Sequence, residues 1–217
     1  MSKKDFDAIV VGSGPNGLSA AITLQKAGLS VLVVEAKPTI GGGMRTAELT
    51  LPGFKHDICS AIHPMAMGSP FFADLPLHEH GLEFVHAPLP AAHPFDSGKA
   101  AILSRSIQDT AASLGIDGQA YFDLIEPLVK SWPKIVDDTL GPLGIPKHPL
   151  LLAQFGLKAM QPSSWIAKRF ATEEAKGLWA GMTAHSIQPL PNYSSAAIGM
   201  VLSAVGHLYG WPIPKGG

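Results

Sequence analysis

Three glycines at positions 12, 14 and 17, an acid at Glu35, and a second glycine run, Gly41-Gly42-Gly43, followed by Arg45, are the residues whose types and spacing point to chemistry. Gly12-x-Gly14-x-x-Gly17 is the spacing with which a backbone approaches a pyrophosphate. The first glycine permits a tight turn, the second leaves room for the phosphates, and the third lets a helix pack closely on a strand. Ser13, Pro15 and Asn16 fill the same turn and join the candidate cofactor-binding residues. Glu35, with Ala36 beside it, follows at about the interval of 20 residues expected of an acid that bonds a ribose 2′-hydroxyl. A carboxylate there repels a 2′-phosphate, so the chemistry favours FAD or NAD over NADP.

Three glycines alone are a weak signal, and the elements around them decide whether they matter. Ala8-Ile9-Val10-Val11 is a mostly β-branched run, the pattern of a strand covered on both faces, and it stops at Gly12. From Pro15 to Ala27 the apolar residues Leu18, Ala21, Ile22 and Leu24 recur at helical spacing, with Gly28 where a helix ends. Val31-Leu32-Val33-Val34 reads as a second buried strand leading to Glu35. The order strand, glycine turn, helix, strand is a right-handed βαβ crossover that sets the helix N-terminus against the phosphates.

The second cluster lies beyond what a nicotinamide enzyme needs. Glu35-Ala36-Lys37-Pro38-Thr39-Ile40-Gly41-Gly42-Gly43-Met44-Arg45-Thr46 resembles the segment that follows the dinucleotide fold in FAD-dependent amine oxidases and phytoene desaturases. Leu51-Pro52-Gly53-Phe54-Lys55-His56-Asp57, Ser60-Ala61-Ile62-His63-Pro64 and the final Gly210-Trp211-Pro212-Ile213-Pro214-Lys215-Gly216-Gly217 are similar to phytoene dehydrogenase-related flavoproteins. The resemblance implies FAD as cofactor. Gly12, Gly14 and Gly17 would hold the pyrophosphate, Glu35 the adenosine ribose, and Gly42, Gly43 and Arg45 the far side of the pyrophosphate. It further implies an oxidoreductase that desaturates, saturates or isomerises carbon–carbon bonds of a hydrophobic, carotenoid-like or fatty substrate. His63 is the candidate to approach the flavin, although no catalytic base is obligatory for such chemistry. Family members are more than twice this length, so the expectation is an N-terminal portion of such an enzyme. The alternatives are a non-catalytic dinucleotide-binding fragment or one subunit of a split flavoenzyme. A third reading, an NAD-dependent dehydrogenase, is disfavoured by the second glycine cluster.

The fold class expected is α/β: a Rossmann-like FAD-binding βαβ domain over 1–66, incomplete in this chain, then a mixed α+β substrate region over 67–209, and a re-entry toward the first domain over 210–217. A short helix over 70–77, a short strand over 83–86 and a hairpin over 94–103 precede helices near 106–114, 118–140, 149–160, 172–182 and 195–208. Pro127 and Pro133 are expected to bend the second of these. From Gly177 to Pro214 no Asp, Glu, Lys or Arg occurs, which predicts a core helix or the wall of an apolar chamber. The apolar part, Ala196 to Val205, falls short of the roughly 20 residues of a membrane span.

Composition narrows the partners. The 217 residues carry a net charge of −1, with 15% charged residues, which gives no positive field for nucleic acid. Cys59 is the single cysteine, so no intrachain disulfide forms and a reducing, cytoplasmic setting is expected. The N-terminus, Met1-Ser2-Lys3-Lys4-Asp5, has no secretory pattern. His78, His80, His86 and His93 with Asp74 and Glu79 follow no ligand spacing, and no metal is expected. His185 and Lys215 are weaker candidates for the site, and Trp132, Trp165, Trp179 and Trp211, with Phe71, Phe72 and Phe155, are candidates to line an apolar substrate chamber, although core packing explains most of them equally well. The remaining partner expected is a second copy or a complementary chain that supplies the missing half.

Overall fold

The structure, a computed structural model, describes residues 5–141 and 143–217, and the reading of Met1 to Lys4 lies outside them. The chain divides into two compact units, 1–85 with 213–217, and 86–212.

In the first unit, β1 (Ala8–Val11) and β2 (Val31–Val34) pair in parallel with Ala8 opposite Val31 and Val11 opposite Val34. Between them runs α1 (Pro15–Lys26), with Pro15 pre-set for the first helical turn and Gly28 at positive φ (+87°) just past its end. The expectation that both strands are covered on both faces is corrected. Ile9 is 63% and Val11 84% exposed, because α1 packs on one face and, among the described residues, the sheet has no third strand and nothing covers its other face.

The stretch after Glu35, read from sequence as loop-rich, contains a hairpin: β3 (Thr46–Glu48) pairs antiparallel with β4 (Lys55–Asp57). Thr46 Oγ1 donates to Asp57 Oδ1 at 2.6 Å across the pair. Two short helices follow, α2 (Pro64–Met67) and α3 (Pro70–Ala73), each opened by a proline, then β5 (Phe84–Val85).

In the second unit, β6 (Ala91–Pro94) and β7 (Ala100–Leu103) form the expected hairpin, longer at its start, closed by a turn with Gly98 at φ +79°. The helices are α4 (Ile107–Ser113), α5 (Gly118–Leu140), α6 (Pro149–Ala159), α7 (Ser163–Ala167), α8 (Glu173–Ala184) and α9 (Ser195–Tyr209). Only α7, a single turn, escaped the sequence reading. Helix α5 continues through Pro127 and Pro133, each of which removes one backbone donor. Its stripe Tyr121, Leu124, Ile125, Leu128, Trp132 and Ile135 is buried against neighbouring helices, and that packing outweighs the lost bonds.

The charge-free run enters α8 at Gly177 and takes in all of α9, and the two helices make much of this core through Leu178, Trp179, Met182, Met200 and Val205. The expectation of burial holds for the helices but not for the link between them, where Ile187 and Tyr193 are exposed. Within the core, Tyr121 Oη lies 2.8 Å from His207 Nε2, and His207 Nδ1 lies 3.2 Å from the Arg105 carbonyl. Burial holds the His207 pKa below its ordinary value, so the ring is neutral, donates to Arg105 and accepts from Tyr121. Asp117 is buried beside Thr172 and Ala171, whose N–H groups donate to its two carboxylate oxygens at 2.7 and 2.8 Å. Thr172 Oγ1 adds a third bond and also caps α8 at Ala175 N. Burial pushes the Asp117 pKa up, but the bonds from Thr172 and Ala171 prevail and hold it below its ordinary value. The last strand, β8 (Ile213–Pro214), belongs to the first unit and pairs antiparallel with β5. Among the described residues no helix is long and apolar enough to cross a membrane.

Candidate functional site

The turn between β1 and α1 is built by its glycines. Gly12 takes φ +95°, a conformation that favours glycine, and its N–H continues the ladder to the Val34 carbonyl at 2.8 Å. A Cβ on Gly17 would overlap the Gly12 carbonyl oxygen, so only glycine lets the helix sit this close to the strand. The N-terminus of α1 has no side-chain cap and no acid in its first turn. Pro15 has no N–H to offer, and the first-turn amides of Asn16 and Gly17 precede the first intrahelical donor, Leu18, which bonds the Gly14 carbonyl. Uncapped amides and the positive end of the helix dipole form an anion site.

The second glycine cluster docks on the first. Gly42, at φ +57°, lies so close to Gly14 that a Cβ on it would stand 2.9 Å from the Gly14 Cα, and the Gly41 N–H donates to the Ser13 carbonyl at 3.0 Å. Arg45 Nε donates to the Gly42 carbonyl at 2.8 Å, which ties the guanidinium to the same turn. Among the described residues Arg45 makes no ion pair, and the planar fork of a guanidinium matches phosphate oxygens in geometry. Gly43 packs on Cys59, and its carbonyl accepts from the Ser60 N–H at 2.9 Å.

Ser13 and Glu35 meet as well. The Ser13 N–H and hydroxyl both donate to Glu35 Oε2, at 2.9 and 2.6 Å, while Lys37 N–H donates to Oε1 at 2.9 Å. The Ser13 hydroxyl, then its amide, then the Lys37 amide, with a smaller part from Ala36, bring the Glu35 pKa down to about 2. Fully buried Ser13 therefore spends its donors on the acid, and its part is to hold Glu35 against the glycine turn. Oε1 accepts a single side-chain-to-backbone bond in this set and keeps capacity for a ribose hydroxyl. A dinucleotide fits this constellation: glycine-lined backbone, uncapped helix amides, an arginine and an ionised acid lie around one turn.

His63 precedes α2 and lines a cavity of about 570 Å³ within the first unit, walled by Met44, Met67, Phe72, Leu82 and Phe84. Met44 links this cavity to the second glycine cluster. The sequence reading gave the charge-free segment as a core helix or the wall of an apolar chamber, and offered Phe72 among the aromatic residues that could line such a chamber; Phe72 does line this cavity. The other walls, Met44, Met67, Leu82 and Phe84, lie at irregular spacing and carried no periodic signal that would have marked them. His78 lines the same cavity, and His185 is exposed in the second unit, its Nδ1 3.1 Å from the Gly181 carbonyl. Lys215 pairs with Glu83, Nζ to Oε2 at 2.9 Å. Trp132 and Trp179 are core, whereas Trp165 is exposed and meets Tyr193 edge to face.

Comparison with known proteins agrees with this geometry. Residues 10–74 match the family of NAD(P)-binding Rossmann-like domains, and the chain carries a Rossmann-like dinucleotide-binding domain. Pyridine nucleotide-disulfide oxidoreductase domain-containing protein 2 of Rattus norvegicus is 40% identical over 81 residues, 37% of this chain and 14% of that protein. A limonene dehydrogenase subunit of Castellaniella defragrans is 30% identical over 111 residues, 51% of this chain and 20% of that protein. Among solved structures, a triple mutant of putrescine oxidase redesigned in cofactor binding superposes on 98% of this chain with a TM-score of 0.58 and 22% identity. This chain covers 46% of that structure, and the likeness is one of fold.

Proposed function

We propose that this chain is the dinucleotide-binding portion of an FAD-dependent oxidoreductase that desaturates, saturates or isomerises carbon–carbon bonds of a hydrophobic substrate. The observation that carries the reading is the docking of Gly42 on Gly14, which fastens Arg45 to the phosphate turn. An ordinary NAD site needs the first turn and the acid, but not a second glycine cluster with its own cation. When bound, the flavin would supply the hydride chemistry. The chain's own residues then bind and orient. The amides of Asn16 and Gly17 and the Arg45 guanidinium neutralise the pyrophosphate, and Glu35, kept ionised by Ser13, accepts from the ribose. The cavity beside Met44 offers a largely apolar space, and His63 is its candidate polar group toward the reacting atoms. The resemblance to phytoene dehydrogenase-related proteins and the match to a limonene dehydrogenase subunit both support an apolar substrate.

The test is a visible absorption spectrum of the purified chain, followed by release and identification of any nucleotide. Stoichiometric FAD is the expected result, and tight NAD binding with no uptake of FAD would overturn the reading.

A second reading, that a partner chain completes the flavin site, is favoured by the bare face of the β1–β2 sheet, where Ile9 and Val11 lie exposed. Sedimentation with and without added FAD distinguishes it, since an assembly that alone retains FAD is its signature.

A further inference from the structure

Helices α5, α6 and α9 enclose a cavity of about 340 Å³ that lies wholly within the second unit and has no part in the dinucleotide site. Its walls are apolar: Leu124 and Leu128 from α5, Leu151 and Phe155 from α6, and Met200 from α9. Lys158 also lines it, one of the few polar groups there with Ser131 and Gln154. A cleft between helices, apolar with a few convergent polar groups and at the small end of the roughly 300–1,000 Å³ range, has the form of a small-molecule site.

Lys158 differs from other lysines of the chain. Lys99, Lys130, Lys147 and Lys215 each pair with a carboxylate, to Glu174, Glu126, Asp137 and Glu83, although all four are largely exposed. Lys158 is half-buried, yet among the described residues it has no carboxylate within ion-pair distance. Burial pushes its pKa down, the positive charge of nearby Arg169 pushes the same way, and Asp123 opposes them. The Asp123 carboxylate is itself engaged by Gln119 Nε2 at 2.8 Å. A partly desolvated ammonium and a second cation, opposed by the single Asp123 carboxylate, leave one net positive charge at an apolar cavity, which a monovalent anion on an apolar tail would offset.

We propose that this cavity binds an aliphatic carboxylate, with the tail among Leu124, Leu128, Phe155 and Met200 and the carboxylate on the Lys158 ammonium. The site does not rest on the dinucleotide reading and is tested without reference to it. Decanoate, 1-decanol and decyltrimethylammonium share one tail and differ in headgroup, and their binding is measured by displacement of a fluorescent fatty acid, with and without added FAD. Decanoate binds in preference to the other two. Lys158→Met weakens decanoate at least about tenfold, equivalent to about 1.4 kcal/mol, leaves 1-decanol unchanged, and Lys158→Arg restores most of the affinity. Ser131→Phe, which fills the cavity, weakens every ligand. Melting midpoints of the variants establish that they fold. Without any substitution, decanoate but not 1-decanol slows acylation of Lys158 as read by mass spectrometry. Equal binding of decanoate and 1-decanol, unaltered decanoate binding by Lys158→Met, or no binding at all would each overturn the proposal.

Discussion

Ser13 sits where two parts of the candidate dinucleotide site meet, since its amide and hydroxyl hold Glu35 and its carbonyl holds Gly41. The sequence marks Ser13 only as a filler of the glycine turn. Its actual bonds are invisible there because Glu35 lies a whole crossover away and arrives by the pairing of β2 with β1. The consequence is a pH dependence. The folded-state pKa of Glu35, about 2, is below its ordinary 4.5, so the bonds it accepts stabilise the turn fully above about pH 4.5 and are lost as pH falls through 2. Dinucleotide held by the protein is accordingly retained from pH 7 to about 4 and released as pH falls toward 2, followed by fluorescence. Glu35→Gln removes that acid transition, whereas release unchanged in the variant would show that another group controls it. Gly42 is the second residue whose role is geometric. Gly42→Ala forces a side chain into φ +57° and into contact with Gly14, a backbone cost of about 1–2 kcal/mol before the clash. Uptake of FAD, measured by absorbance, falls at least about tenfold while the second unit's helices keep their circular dichroism.

Helix boundaries in the second unit were legible because apolar spacing, glycine and proline agree locally. Those of α4, α5, α6, α8 and α9 match the sequence reading to within a few residues. What the sequence did not reveal is the long-range fastening of those helices. Asp117 accepts three bonds from Ala171 and Thr172, more than 50 positions further on, and through Thr172 it fixes the cap of α8. Asp117→Ala leaves two backbone amides without their acceptor, at about 1–3 kcal/mol. The expected result is a melting midpoint several degrees lower with unchanged dinucleotide binding, since the change lies outside the first unit. The hairpin β3–β4 was missed for the opposite reason: its strands are three residues each, too short for alternation to register, and a loop is the ordinary reading of such a stretch.

For the molecule as a whole, the contrast is between a helical unit built round a closed apolar core and a β1–β2 sheet that leaves one face bare. Replacing Ile9 and Val11 by Thr removes little burial in the isolated chain, so stability changes by no more than about 0.5 kcal/mol. Trp132→Ala in the α5 core costs about 3–5 kcal/mol. Chemical denaturation separates the two, and a large loss from the Thr pair would mean that something covers that face. If a second chain docks there, the Thr pair weakens assembly while leaving monomer stability intact. The sequence by itself determined the βαβ order, the glycine turn, the acid at the end of the second strand and most of the helices, because each is written in contiguous residues. Tertiary structure alone decided that the two glycine clusters touch, that Ser13 bonds Glu35 Oε2, and that an apolar cavity opens beside Met44. It also decided that Lys158 faces an apolar cleft. Each of these depends on residues distant in the chain arriving at one place, and no local spacing encodes that arrival.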